Sequence, residues 1–122
     1  MEFKAYYDCI LKLDRKVPYL EQVWFDYYHF DLNGEEISLD IGEADGFDNV
    51  PDKNGCLYLA GSFDCTCDED FDLDETFNPT NLDPIFTFFD RLNNQVYYEV
   101  VEAGLTVYTD DGNRLYFKER HC

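Results

Sequence analysis

The chain has 122 residues, 45% of them apolar and 18% aromatic, which excludes intrinsic disorder because that much apolar surface can offset ordering entropy. Its 27 acidic and 9 basic side chains give a net charge of −18, which excludes direct binding to nucleic acid or to an anionic membrane, since both carry phosphate. No stretch free of Asp, Glu, Lys and Arg is longer than Asn54–Phe63, far short of the ~20 apolar residues of a spanning helix.

The length fits one acidic globular domain over residues 1–122. At the N-terminus Phe3, Ala5, Tyr7, Cys9, Leu11 and Leu13 alternate as in a strand. Phe3, Tyr6, Tyr7, Ile10 and Leu13 also satisfy a helix face, and the strand is favoured. Lys4 and Asp8 interrupt any apolar run there, so no secretory signal is read. The five cysteines, Cys9, Cys56, Cys65, Cys67 and Cys122, are then expected as reduced thiols in a cytoplasmic protein.

Val23–Leu32 is rich in β-formers and Glu35–Ile41 alternates, with Asn33-Gly34 between them; this predicts a hairpin. Gly42–Gly55 reads as a loop and Cys56–Cys67 as a strand. Asp68–Asn81 reads as an acidic loop or edge strand. Asp83-Pro84 resembles an N-cap with proline in the first turn, which predicts a helix over 84–93 with Ile85, Phe88, Phe89 and Leu92 on one face. Val96–Val101, Leu105–Thr109 and Arg114–Glu119 read as three more strands, the last two joined around Asp111-Gly112. The expectation is an α+β domain, a mostly antiparallel sheet of about five to six strands with one helix.

The charge is uneven. Residues 17–90 hold 19 acids against Lys53 alone and carry the whole net charge, while the two ends cancel. Such asymmetry points to a basic partner or a metal surface. The sharpest feature is Asp68-Glu69-Asp70-Phe71-Asp72-Leu73-Asp74-Glu75. If it is extended, Asp68, Asp70, Asp72 and Asp74 share a face at about 6.6–6.8 Å per step, with Phe71 and Leu73 anchoring the other. A DNA strand presents one charge per ~3.4 Å of axis, so the row approaches the spacing of phosphates within about a factor of two. A second set, Asp40, Glu43, Asp45, Asp48 and Asp52, follows the first hairpin and is expected beside it.

Metal and catalytic motifs are weak. Asp68, Asp70 and Asp72 match the first ligands of a calcium loop, but Leu73 stands where glycine is required and Pro79 where the bidentate glutamate belongs. Cys65 and Cys67, near Cys56, lack zinc spacing. His29 and His121 stand in no nucleophile–base pattern, so no enzyme and no cofactor are expected.

These residues suit a small cytoplasmic inhibitor that presents carboxylates where nucleic-acid phosphates bind. Its partner would be a basic nucleic-acid-binding protein, a nuclease or a CRISPR or restriction effector, reached by electrostatic steering. Tyr19, Tyr27, Tyr28 and Tyr58, in the acidic middle, would supply aromatic anchors. In size and composition the chain resembles phage-encoded anti-restriction and anti-CRISPR proteins that imitate DNA. One alternative is an immunity protein that neutralises a nuclease toxin. A second is a divalent-metal-binding module.

Overall fold

The computed structural model describes residues 1–41 and 50–120. Their elements are β1 (Glu2–Leu13), β2 (Gln22–Leu32), β3 (Glu35–Ile41), β4 (Cys56–Thr66), β5 (Thr80–Phe89), β6 (Gln95–Val96), β7 (Tyr98–Tyr108) and β8 (Arg114–Arg120). All pair antiparallel in one sheet of order β6-β5-β2-β3-β4-β1-β7-β8. Period-two patterning explains why. Ala5, Tyr7, Cys9, Leu11 and Leu13 of β1 are buried, and Leu57, Leu59, Phe63 and Cys65 of β4 join them. The Asn-Gly hairpin forms as its sequence predicts: Leu32 pairs with Glu35, and Asn33 (φ +54°) and Gly34 (φ +85°) take the left-handed turn conformation. The Asp111-Gly112 turn likewise joins β7 to β8.

The sheet rolls until its two edges meet. β5 touches β7 and β8. The Glu119 carboxylate on β8 closes the seam by accepting Asn81 N–H at 2.6 Å and Leu82 N–H at 2.9 Å. The resulting open barrel buries one apolar cluster in which Tyr7, Tyr28, Phe30, Phe63, Phe77, Phe86 and Phe88 are the aromatic members. Phe86 and Phe88 stack at 5.4 Å, while Tyr7 meets Tyr28 edge-on at 4.9 Å and the half-buried Phe25 tilts against Phe86 at 4.4 Å between centroids.

The α+β expectation is corrected here: among the described residues the fold is all-β. The segment expected as a helix over 84–93 is the second half of β5, a turn, and the approach to β6. Helical spacing was satisfied by Ile85, Phe88, Phe89 and Leu92, but Leu92 is 82% exposed. The pattern that buries surface is Leu82, Pro84, Phe86 and Phe88, every second residue. A strand also gives β2 a partner along its outer edge, which a helix would leave unpaired.

Pro84 is tolerated because of where its missing N–H points. Its carbonyl accepts the Tyr98 hydroxyl at 3.1 Å, and the Tyr98 hydroxyl oxygen in turn accepts Phe86 N–H at 3.0 Å. In an antiparallel strand a residue's N–H and C=O share a side. Pro84 therefore turns its ring nitrogen away from β2, and no ladder bond is lost. The Asp90 carboxylate, expected near a helix end, instead accepts Leu92 and Asn94 N–H at 2.9 Å each to shape the turn.

The strand count is also corrected: the described residues form eight strands where about five to six are expected, the segment expected as a helix supplying the second half of β5. The two strands expected at Val96–Val101 and Leu105–Thr109 belong to one long β7, preceded by the short β6. Ala103-Gly104 reads as a break but lies inside the strand. Ile10 pairs with Glu102 and Leu11 with Val100, so Val101 is a bulge that keeps the pairing in step.

Candidate functional site: the acidic end of the barrel

Residues 67–79 cross the end of the barrel between β4 and β5 without forming a strand. They are held by aromatic anchors. Phe71 packs on Phe3 and Phe30 at 5.6 and 6.2 Å and stacks on Phe77 at 5.4 Å. Phe77, buried, contacts Phe30 and Phe117 at 5.7 and 5.6 Å. Leu73 is buried beside them, so Phe71 and Leu73 anchor the segment from within. The chain start ties the other side: the N-terminal ammonium donates to Cys67 C=O at 2.7 Å, and Cys67 N–H donates to Met1 C=O at 3.0 Å.

With the apolar side chains turned in, Asp68, Glu69, Asp70, Asp72, Asp74 and Glu75 are all exposed. Asp74 is also fixed by the backbone. It accepts Thr76 Oγ1 at 2.5 Å and Thr76 N–H at 2.9 Å, and these bonds hold its carboxyl below the usual carboxylate range.

The fold gathers further acids around this loop. Glu69 and Asp70 share a shallow depression with Glu35 at the β2–β3 hairpin. Asp68 shares another with Asp40 and Glu2. Asp74 and Glu75 share a third with Asp110 and Asp111 of the β7–β8 hairpin. Thr109 and Asn113 bind the Asp111 carboxylate and lower its pKa, Thr109 Oγ1 most strongly. Lys4, opposite Asp64, and Arg114, opposite Tyr108, stand at the rim. Sequence reading missed Glu2, Glu35, Asp110 and Asp111. Asp110 and Asp111 lie in the near-neutral C-terminal stretch, and only the β1–β7–β8 register brings them beside the loop.

The second expected set is divided. Asp40 does sit beside the run. Asp52 does not: it caps the turn before β4 at the opposite end, accepting Asn54 and Cys56 N–H at 2.8 and 2.9 Å. β4 separates the two ends by on the order of 30 Å. Glu43, Asp45 and Asp48 lie outside the described residues. Of the expected aromatic anchors, Tyr19, Tyr27 and Tyr58 are 39%, 41% and 56% exposed. Tyr28 is corrected: at 2% exposed it is a core residue, because the β2 bulge between Phe25 and Tyr27 shifts the inward register.

At the far end bases and acids are mixed. Arg15 binds Asp90 at 3.1 Å and Gln95 C=O at 3.2 Å, and Lys12, Lys16 and Lys53 line the same end. Cys9, Cys56, Cys65 and Cys67 are free thiols; burial pushes Cys9 and Cys65 each up to about 12, leaving them unreactive. Among the described residues no group of three or more His, Cys, Asp or Glu comes together to hold a metal ion. Among them, too, no helix is long and apolar enough to cross a membrane. The chain matches no protein-family model, no characterised protein and no solved structure.

Proposed function

We propose that the protein is an inhibitor that seats its acidic end in the basic nucleic-acid-binding cleft of a partner protein. The partner would be a nuclease or a CRISPR or restriction effector, met in the cytoplasm. It would act by occupancy and not by catalysis, and bind neither nucleic acid nor membrane itself. The observation that carries this reading is the sorting of charge along the barrel axis. Carboxylates of Glu2, of Glu35 and Asp40 on β3, and of Asp110 and Asp111 converge on the loop at 67–79, while at the other end Lys12, Arg15, Lys16 and Lys53 offset Asp14, Asp52, Asp90 and Glu99. Like charges so gathered destabilise the folded state, and a basic cleft would relieve them. The immunity-protein reading uses the same surface and differs only in the origin of the target.

The test is affinity capture at low salt with elution by a salt gradient. Changing Asp68, Asp70, Asp72 and Asp74 together to Asn is expected to weaken binding at least about tenfold, or ~1.4 kcal/mol, chiefly through the association rate. Glu21→Gln with Glu99→Gln is the control, since both side chains are exposed and lie away from the loop. Glu102 and Glu119 would mislead as controls because they hold Lys118, Arg120 and the seam. Equal affinity for both variants, or affinity flat with salt, would sink the proposal.

A further inference from the structure

A different surface carries an independent site. On the outer face of the sheet, Asp8 of β1 stands opposite Ala60 on β4 and Gly104 on β7, two residues too small to cover it. The recess is roofed by tyrosines. Tyr6 precedes Asp8 by two on the same strand, and Tyr58 lies one row away on β4. Tyr116 of β8 reaches over Gly104: a Cβ at that glycine would stand 2.9 Å from the Tyr116 hydroxyl and 3.1 Å from the Asp8 carboxyl carbon. Glycine is required there because the Asp8 and Tyr116 side chains occupy the space a methyl would take. Tyr6, Tyr58 and Tyr116 remain 37%, 56% and 54% exposed, so the roof is open to solvent.

Asp8 Oδ1 is buried in this recess and has no hydrogen-bond partner. A buried acceptor with no donor is costly, and a charged one more so. The nearest cations are already engaged. Lys118 Nζ lies 3.3 Å from Glu102 Oε2, and Arg120 Nε lies 3.0 Å from Glu102 Oε1. Burial accordingly raises the Asp8 pKa, with Lys118 opposing and Glu102 adding to the rise.

We propose that Asp8, Tyr6, Tyr58 and Tyr116 form an acceptor site for an arginine side chain presented by a protein partner. A guanidinium supplies the missing donors to Asp8 and a flat cation for the tyrosine rings, which a compact ammonium matches less well. A rigid aromatic cluster around one desolvated charge has the make-up of an interface anchor point. The proposal rests on the inhibitor reading for the class of partner, a basic protein, but not for the surface.

The probe is N-acetyl-arginine methylamide, titrated into the labelled full chain at about 0.15 M salt and followed by NMR, with the citrulline analogue alongside. Saturable shifts are expected at the Tyr6, Tyr58 and Tyr116 rings and the Gly104 amide. They should be at least about fivefold weaker with citrulline and lost in Asp8→Asn. Tyr58→Ala, at an exposed ring, should weaken the same shifts and gives a second variant should Asp8→Asn perturb the fold. The Asn variant of the four loop aspartates should retain them. Shifts confined to the loop carboxylates, or undiminished in Asp8→Asn, would overturn the site. A dimer that vanishes in Asp8→Asn would assign the recess to a second copy of the chain and overturn a foreign partner. The probe never touches inhibition, so loss of this site leaves the acidic-end reading intact, and the reverse.

Discussion

Asp8 is half-buried with one carboxylate oxygen out of solvent and without a hydrogen-bond partner, and the consequence can be read in stability. Its folded pKa lies above its ordinary value of 3.8 because burial disfavours the anion. Between those two values the folded chain binds more protons than the unfolded one, so this group's contribution to stability falls as pH rises through the window. Above the window the folded state carries the whole penalty. The Tyr6 hydroxyl on its own strand, and the Lys118 ammonium, the Glu102 carboxylate and the Tyr58 and Tyr116 hydroxyls on the neighbouring strands, face it. Asp8→Asn should therefore raise Tm by a few degrees at pH 7, with the gain shrinking as pH falls through that window toward 3.8. Asp74 and Asp111 have the opposite sign: their lowered pKa gives stability that is present above 3.8 and lost in acid. Circular dichroism melts of wild type and Asp8→Asn across pH would check this, and a difference flat from acid to neutral would refute it. A substitution that stabilises the fold while weakening arginine binding would mark Asp8 as a functional residue. Its partners were illegible in the sequence, since Ala60, Gly104 and Tyr116 meet it only through strand register. The outward alternation of Tyr6, Asp8 and Ile10 was the sole local sign.

The elements whose signals are local were legible: the Asn33-Gly34 hairpin, the β1 alternation, and Phe71 and Leu73 as anchors of the acidic loop. The stretch 84–93 was not, because Ile85, Phe88, Phe89 and Leu92 satisfy a helical period while Leu82, Pro84, Phe86 and Phe88 satisfy a strand's, and only the open edge of β2 decides between them. β5 in turn depends on its seam. Replacing Glu119 by Ala removes an acceptor from the Asn81 and Leu82 amides, a loss of about 2 kcal/mol for charge-assisted bonds. Hydrogen exchange at those two amides should accelerate first; unchanged rates there would show that the seam is closed by packing alone. The loop depends on Phe77. Phe77→Ala should cost about 3–5 kcal/mol and loosen residues 67–79, weakening partner binding although every carboxylate remains. Full affinity in that variant would mean that the carboxylates act without being positioned.

Across the whole molecule, the fold converts a charge bias along the sequence into a charge bias in space. The sequence placed all net charge in residues 17–90, but the barrel redraws that boundary. Asp52 is carried to the opposite end, where bases and acids offset one another, while Asp110 and Asp111 are brought from the C-terminal region to the acidic one. A body charged at one end would approach a basic cleft with that end first, at a rate that falls with ionic strength. The central claim is that this end takes the place of nucleic acid, and competition tests it most directly. A captured partner would be loaded with a labelled DNA duplex and titrated with this protein while fluorescence anisotropy follows the duplex. Wild type should release the DNA completely, and the variant with Asn at 68, 70, 72 and 74 should require at least about ten times more protein. A ternary complex in which partner, DNA and this protein remain bound together would contradict the account.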